Sequence, residues 1–384
     1  MEQALEPTAD GAWVLVDDGC DALRESDRET RFTVSNGFLA TRASRAINQS
    51  QQRTAPPSTY VAGLFDTRDT ERPVPELIPG PDWVQVRVSL PGGQLVQHFG
   101  PGPSHPLTLD MRRGLLLTEC RLVEGAAVSL RLRLLRLASQ DQRPLGLQLL
   151  HLETEKGEIE ITLEASMDGF DSDLTSERLE NEFGVWRTHL SGKGLAMAAA
   201  VALRIDGQNI PPTSLAPFRW TWTWKTRPGQ VVCFDRIVAL SRSDARDQDP
   251  GERARYDLDG AREKSWRSVV QKHETAWSNR WSRSDVKVEG DGTAQKALRF
   301  AVYHLNSAAN PEDPRVSIGA RALTGADYRG HVFWDTEIFL LPFYILTWPE
   351  AARSLLMFRF HTLDGARAKA ADRGWRGAFY AWES

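Results

Sequence analysis

Tyr328, Arg329, His331, Phe333, Trp334, Asp335 and Glu337 fall within ten consecutive residues. That is two acids, two cationic or base-capable groups and three aromatics, a mixture a hydrophobic core does not need. A site that grips a polar, ring-shaped ligand does need it. Trp334 and Asp335 suit a sugar, with an indole for the C–H face of the ring and a carboxylate for two adjacent hydroxyls. They equally fit a structural role, Trp334 in the core and Asp335 capping the helix that follows, and residue type alone leaves both open. Asp335 and Glu337 do not serve together as acid and base on one bond. Two positions on a helix point about 200° apart, so at most one of them faces a site. Arg329 and His331 could bind an anion such as phosphate; a histidine beside an apolar run also fits a satisfied structural group.

Other chemistries are poorly supplied. No His, Cys and Glu cluster has zinc spacing, so no metal is expected. A dinucleotide-binding glycine fingerprint, a phosphate-cradling P-loop and a nucleophile elbow are all missing. The net charge of -4 and pI of about 6.1 argue against a nucleic-acid partner. Cys20, Cys120 and Cys233 are far apart and odd in number, which fits a reducing compartment better than a disulfide framework. The first residues, Met1, Glu2, Gln3, Ala4, Leu5 and Glu6, lack a cationic-then-apolar leader pattern. No stretch approaches the ~20 apolar residues that span a bilayer. A cytoplasmic protein with no membrane contact is expected. Thirteen tryptophans in 384 residues fit core filling more simply than sugar stacking.

The elements that must position the 328–337 segment divide into β then α. Residues 128–134 alternate apolar and polar, as do 159–164 and 83–88. Pro91, Gly92 and Gly93 predict a hairpin from 83–88 into 94–99. Trp220, Trp222 and Trp224 put indoles on one face of another strand, and residues 60–66 form an apolar strand ending in Asp66. Asn36-Gly37 reads as a hairpin turn. Strands punctuated by Gly and Pro over so long a span predict two stacked antiparallel sheets over residues 1–245, without an internal repeat. Residues 242–255 are a charged, Pro- and Gly-containing break. Beyond it a helical linker is expected over 246–290, with Trp266, Val269, Val270, His273, Ala276 and Trp277 along one side of 261–281 and a short strand-like piece at 286–289. Ala294, Ala297, Leu298, Ala301, Val302 and Leu305 follow helical periodicity. Asn310 to Pro314 stop that helix and 315–332 reads as loop, a common carrier of ligand contacts. Residues 335–346 are helix-compatible, with Pro342 a kink. Thr347 to Glu350 fit a capping box with Pro349 in the first turn. Thr362 or Asp364 caps a last short helix, which Gly374 ends. Three or four antiparallel helices do not close a domain, so the sequence is expected to stop inside one. Their open apolar faces predict poor solubility.

The run from Arg315 to Arg321, the run from Tyr328 to Phe339, and the segments 355–360 and 377–384 closely resemble glycoside hydrolase family 65. Asn36 to Leu39, Tyr60 to Asp66 and Leu109 to Arg112 look like the N-terminal domain of that family, so the resemblance covers nearly the whole chain. The family holds maltose, trehalose, kojibiose and nigerose phosphorylases and some α-glucosidases. The resemblance implies a multidomain β-then-α chain: an N-terminal antiparallel β-sandwich over 1–245, a helical linker over 246–290, and the first part of an (α/α)6 catalytic barrel over 291–384. It implies that Trp334 and Asp335 hold the non-reducing glucose, with Arg329 and Phe333 beside them, and that Trp382 and Glu383 line the acceptor side. It implies an α-linked glucose disaccharide and inorganic phosphate as substrates, no cofactor, and a homodimer through the sandwich. The implied chemistry is inverting, with a carboxylic acid protonating the glycosidic oxygen while phosphate, or base-activated water, attacks the opposite sugar face. The general-acid Glu and the phosphate-binding residues are expected beyond Ser384, so the 384-residue chain is expected to be inactive by itself. The alternatives are an inverting α-glucosidase and a non-catalytic carbohydrate-binding fragment.

Overall fold

Leu130, Leu132 and Leu134 alternate with Ser129, Arg131 and Arg133 on the strand Val128–Ala138, and only the leucines are buried. This strand lies inside a large antiparallel sheet. The structure, a computed structural model, describes residues 1–17, 24–44, 47, 58–67, 74–91, 97–98, 106–124, 128–168, 173–244 and 248–384. Among these, eleven strands form the central sheet. Its main path runs Val14–Asp17, Leu107–Asp110, Leu115–Glu124, Val128–Ala138, Leu145–Lys156, Val231–Ser243, Gly194–Ile205, Phe183–Thr188, Leu174–Leu179. One four-stranded sheet holds Ser214–Ala216, Arg219–Lys225, Glu160–Asp168 and Asp82–Ser89; the other holds Val34–Ser35, Leu39–Thr41, Thr59–Thr67 and Pro75–Pro79.

One face of the central sheet, with Leu130, Leu132, Leu150 and Leu152, packs on Trp83, Ile161, Leu163, Trp220 and Trp222 of the smaller sheet. The opposite face, with Leu135, Leu137, Leu147 and Leu149, carries a helical layer. A first helix, α1 (Glu25–Arg31), sits apart and salt-bridges Asp17 through Arg28. The covering layer is α2 (Gly251–Arg262) and α3 (Ser265–Ser284), which contribute Ala254, Leu258, Trp266, Val269 and Val270. A sheet covered on both faces needs apolar residues on both. That is why the alternation gives way after Leu134 to an unbroken buried run through Ala138. The tryptophans at 83, 186, 220, 222 and 277 are all fully buried, so these five fill the core.

Several expectations change. Two stacked sheets become three sheets and a helical layer. Of the expected second strand of the 83–99 hairpin, only Gln97–His98 is described, and it pairs with Leu122 and Val123, while Asp82–Ser89 pairs with Glu160–Asp168. Residues 92–96 and Cys20 lie outside the described residues. The charged break is shorter than 242–255, because the strand Val231–Ser243 runs into it and α2 starts at Gly251. Residues 286–289 form no strand; the Gln295 side chain takes the place of a partner strand, accepting from Val288 N at 2.7 Å and donating to Val286 O at 3.0 Å.

The helix α4 (Gly292–Ala308) forms where periodicity predicts it, yet its apolar stripe is not its buried face. Ala297 and Ala301 are exposed, and Gln295, Arg299, Tyr303 and Asn306 are buried beside Val302. The polar groups are satisfied inward: Arg299 makes two 3.0 Å bonds to Asp285, and Tyr303 OH donates to Thr33 O at 3.2 Å. Next come a π-turn at Thr336–Leu340 and α5 (Leu341–Thr347). Pro342 lacks the N–H that would bond four residues back, so the turn before it widens rather than the helix bending sharply. The capping box before α6 (Pro349–His361) is absent: Trp348 holds the cap position, and the Thr347 hydroxyl donates back to Phe343 O at 2.8 Å. Pro349 does stand in the first turn. Thr362 occupies the N-cap of α7 (Leu363–Asp372) without a capping bond, and left-handed Gly374 (φ 71°) closes it. Among the described residues no helix is long and apolar enough to cross a membrane.

Candidate functional site

The loop that carries the candidate residues starts where a hairpin meets the end of α4. Asn36 makes the turn between Val34–Ser35 and Leu39–Thr41, accepting from Phe38 N and Leu39 N and donating to Ser139 O and Arg143 O. Gly37 has φ 82°, and a Cβ there would lie 2.4 Å from the Ala309 backbone. No other residue lets the hairpin sit so close to the loop. Arg42, buried on the same hairpin, donates to Thr324 O.

The loop then reverses on itself. Tyr328, Arg329 and Gly330 are all left-handed, with φ of 54°, 56° and 74°, a conformation ordinary side chains avoid. A Cβ on Gly330 would lie 2.4 Å from Leu77 Cβ, and one on Gly319 2.6 Å from Gly330 O. Ala320 N donates to His331 O at 3.0 Å, closing the crossing. The reversal turns His331 toward the strand Pro75–Pro79. Its Nε2 is 2.5 Å from Pro75 O and its Nδ1 2.8 Å from Glu383 Oε1. Arg329 pairs with Glu76 of the same strand at 3.3 Å.

Past His331 the chain runs antiparallel to its last residues. Val332 N donates to Ser384 O at 2.8 Å and Ser384 N to Val332 O at 3.0 Å, with Phe333 bridged to Glu383. The two segments thereby bring their aromatics together. Trp382 meets Trp334 edge-on at 5.6 Å and Phe333 at 6.2 Å, and Tyr328 meets Phe333 at 5.8 Å. Of the six expected site residues, Phe333, Trp334, Trp382 and Glu383 form this cluster. Asp335 is exposed at the head of the π-turn and makes no hydrogen bond to a described residue, so it does not cap. Arg329 stands at the rim, engaged with Glu76. Trp334 is half-buried and its Nε1 has no partner among the described residues. Asp335 and Glu337 part company, as two-residue spacing requires: Glu337 turns inward to Arg359, leaving its Oε1 buried and unpartnered among the described residues.

Arg359 was not singled out by sequence reasoning. From α6 it donates to Glu337 Oε2 at 2.8 Å, Phe333 O at 3.3 Å and Ser384 Oγ at 3.2 Å, and Tyr380 OH donates to its carbonyl at 2.8 Å. One cation thus ties the π-turn, the loop and the last segment together. A lone arginine between Phe358 and Phe360 was the available signal.

A cavity of about 1050 Å³ lies between this loop and the sheet edge, reached by Lys193, Arg242, Arg315, Arg329, His331 and Glu383. Burial lowers the Lys193 ammonium from its ordinary range. Burial would raise Asp244, but the Arg242 guanidinium and Lys193 hold it below the usual carboxylate range. Among the described residues no group of three or more His, Cys, Asp or Glu side chains is gathered as for a metal ion.

Residues 15–280 match the glycosyl hydrolase family 65 N-terminal domain, and residues 299–384 match the family's central catalytic domain. The chain belongs to glycosyl hydrolase family 65. The kojibiose phosphorylase of Caldanaerobacter subterraneus subsp. tengcongensis is 28% identical over 410 residues, covering 100% of this chain and 52% of that protein. The nigerose phosphorylase of Lachnoclostridium phytofermentans is 44% identical over 124 residues, 32% of this family 65 chain and 16% of the relative. A solved structure from the human microbiome, provisionally named a kojibiose phosphorylase, superposes with a TM-score of 0.83 at 20% identity, over 97% of this chain and 52% of that one. That likeness establishes the shared fold of the β-rich part and the helices that follow. This family 65 chain spans about half the length of the curated relatives it matches.

Proposed function

We propose that the chain is part of an inverting α-glucoside phosphorylase, with Trp334 and Asp335 holding the non-reducing glucose and Trp382 and Glu383 lining the acceptor side. The observation that carries this reading is the clamp between residues 332–334 and 382–384. It sets two indoles edge to face beside an exposed carboxylate that bonds to no described residue. Indole faces and an open carboxylate are the complement of a sugar's C–H face and vicinal hydroxyls. Phosphorylase names among the family relatives support phosphate as co-substrate and a disaccharide as donor.

In this reading a carboxylic acid protonates the glycosidic oxygen while phosphate attacks C1 from the opposite face. The C1–O bond to the acceptor sugar breaks, the new C1–O bond forms to phosphate, and β-glucose 1-phosphate leaves. The acid is expected beyond Ser384, so residues 1–384 bind sugar without turning it over. Helices α4 to α7 are read as the first part of an (α/α)6 barrel, with domains at 1–245, 246–290 and 291–384. A cytoplasmic homodimer through the β-sandwich completes the proposal, by analogy with the family.

The test is release of glucose 1-phosphate from kojibiose, nigerose, trehalose and maltose, with and without inorganic phosphate. It is run on the full reading frame and on residues 1–384 in parallel. Phosphate-dependent release by the full frame supports the phosphorylase and names its linkage. Free glucose without phosphate moves the assignment to a glucosidase. Turnover by residues 1–384 alone overturns the placement of the acid.

A further inference from the structure

His331 stands with both ring nitrogens against acceptors. A carbonyl oxygen only accepts, so the 2.5 Å contact to Pro75 O requires a proton on Nε2. Across the ring, Nδ1 and Glu383 Oε1 are 2.8 Å apart. At that distance the two atoms share a hydrogen bond, which ties the ring to the carboxylate. The side chain of His331 is 10% exposed and that of Glu383 47%. Glu383 is therefore held by one oxygen at its buried side. Its Oε2 makes no hydrogen bond to a described residue.

The backbone is built to deliver this ring. Three successive left-handed residues reverse the chain just before His331, and the turn is tied to the same strand twice, by Arg329 to Glu76 and by His331 to Pro75. Strain of this kind persists only where surrounding contacts over-determine it. Sequence separation sharpens the point: 256 residues part His331 from Pro75 and 52 part it from Glu383.

We propose that His331 is the positioning residue for Glu383, an imidazole link from the sheet strand Pro75–Pro79 to the end segment that aims Glu383 Oε2 at a sugar hydroxyl. The sugar part rests on the reading of the preceding subsection; the positioning part does not. Histidine suits the role because its two nitrogens reach partners in two directions from one rigid ring.

Two surrogates separate the contacts. His331→Gln keeps a donor near the Nε2 position, facing Pro75 O, and loses the one facing Glu383. His331→Asn keeps a donor near Nδ1. The first readout is hydrogen–deuterium exchange over residues 378–384 in the sugar-free protein. We expect exchange in His331→Gln to rise about tenfold, as for loss of a charge-assisted bond, with a smaller rise in His331→Asn, which keeps the Glu383 contact and loses only the Pro75 anchor. Unchanged exchange in His331→Gln, or equal rises in both variants with a lower melting midpoint, overturns the proposal. The second readout is D-glucose affinity by calorimetry. His331→Gln is expected to bind about tenfold more weakly, with no added loss when combined with Glu383→Ala. Additive losses overturn the proposal. Absence of glucose binding in wild type, with the exchange difference present, removes the sugar reading and leaves the positioning role standing.

Discussion

Asp335 is an exposed carboxylate that bonds to no described residue, next to an indole whose buried N–H is likewise unpartnered. Groups that stabilise nothing locally can be removed cheaply unless they bind something. Asp335→Asn should therefore leave the unfolding free energy within about 0.5 kcal/mol of wild type. It should weaken D-glucose binding about tenfold or more, since a charged acceptor for two hydroxyls becomes a neutral one. Calorimetry beside urea unfolding separates the two effects, and unchanged affinity would remove Asp335 from the site. Glu337 contrasts with it. Its carboxylate is committed to Arg359, so Glu337→Gln should cost stability and loosen the 332–384 clamp together.

His273 shows how an element is locked to its neighbours. From α3 its Nδ1 accepts from Gln140 N at 3.1 Å, and its Nε2 donates to Arg113 O at 2.8 Å. Gln140 and Arg113 sit in two different turns of the central sheet. Complete burial lowers the imidazole to about 4 from an ordinary 6.5, against the two carbonyls that favour charge. Protonating Nδ1 would also forfeit the Gln140 bond. A folded value below the unfolded one means the unfolded chain takes up the proton first. The stabilisation is thus complete above pH 6.5 and is lost as pH falls from there toward 4. Wild type should lose up to about 1.4 kcal/mol more per pH unit across that window than His273→Gln. Denaturant unfolding at pH 7, 5.5 and 4.5 measures the difference, and parallel slopes would refute it.

At the scale of the molecule, buried arginines join the β part to the helices. Trp348, between α5 and α6, has Arg280 of α3 over its ring at 4.0 Å and Arg143 of the central-sheet turn at 5.5 Å. Arg143 also donates to Asn36 O and Ala309 O, and Arg280 donates to Thr347 O. Burial lowers both guanidinium groups to about 10. Trp348→Ala should cost about 3–5 kcal/mol, read as a drop in the denaturation midpoint, because it empties a cavity and removes the ring that two buried cations pack against. Meanwhile Phe339, Leu346, Phe360, Trp375 and Trp382 are each more than half exposed, all within the last fifty residues. Residues 1–384 alone should therefore self-associate with rising concentration in light scattering. A monodisperse monomer at high concentration would contradict this.

Local pattern was enough to place the strands at 128–134 and 159–164, the hairpin turn at Asn36-Gly37 and helix α4. Those features depend on periodicity, turn chemistry and residue type, all of which act between near neighbours. Pattern failed where partners are remote. It could not show that α4 buries its polar side, because Asp285 and Thr33 decide that. It could not pair Gln97–His98 with Leu122 and Val123, since register is chosen by the whole sheet. Nor could it give His331 its two acceptors or reveal Arg359 as the tie between three segments. Hydrogen bonds spanning tens to hundreds of residues leave no spacing to read, and only the tertiary structure brings their ends together.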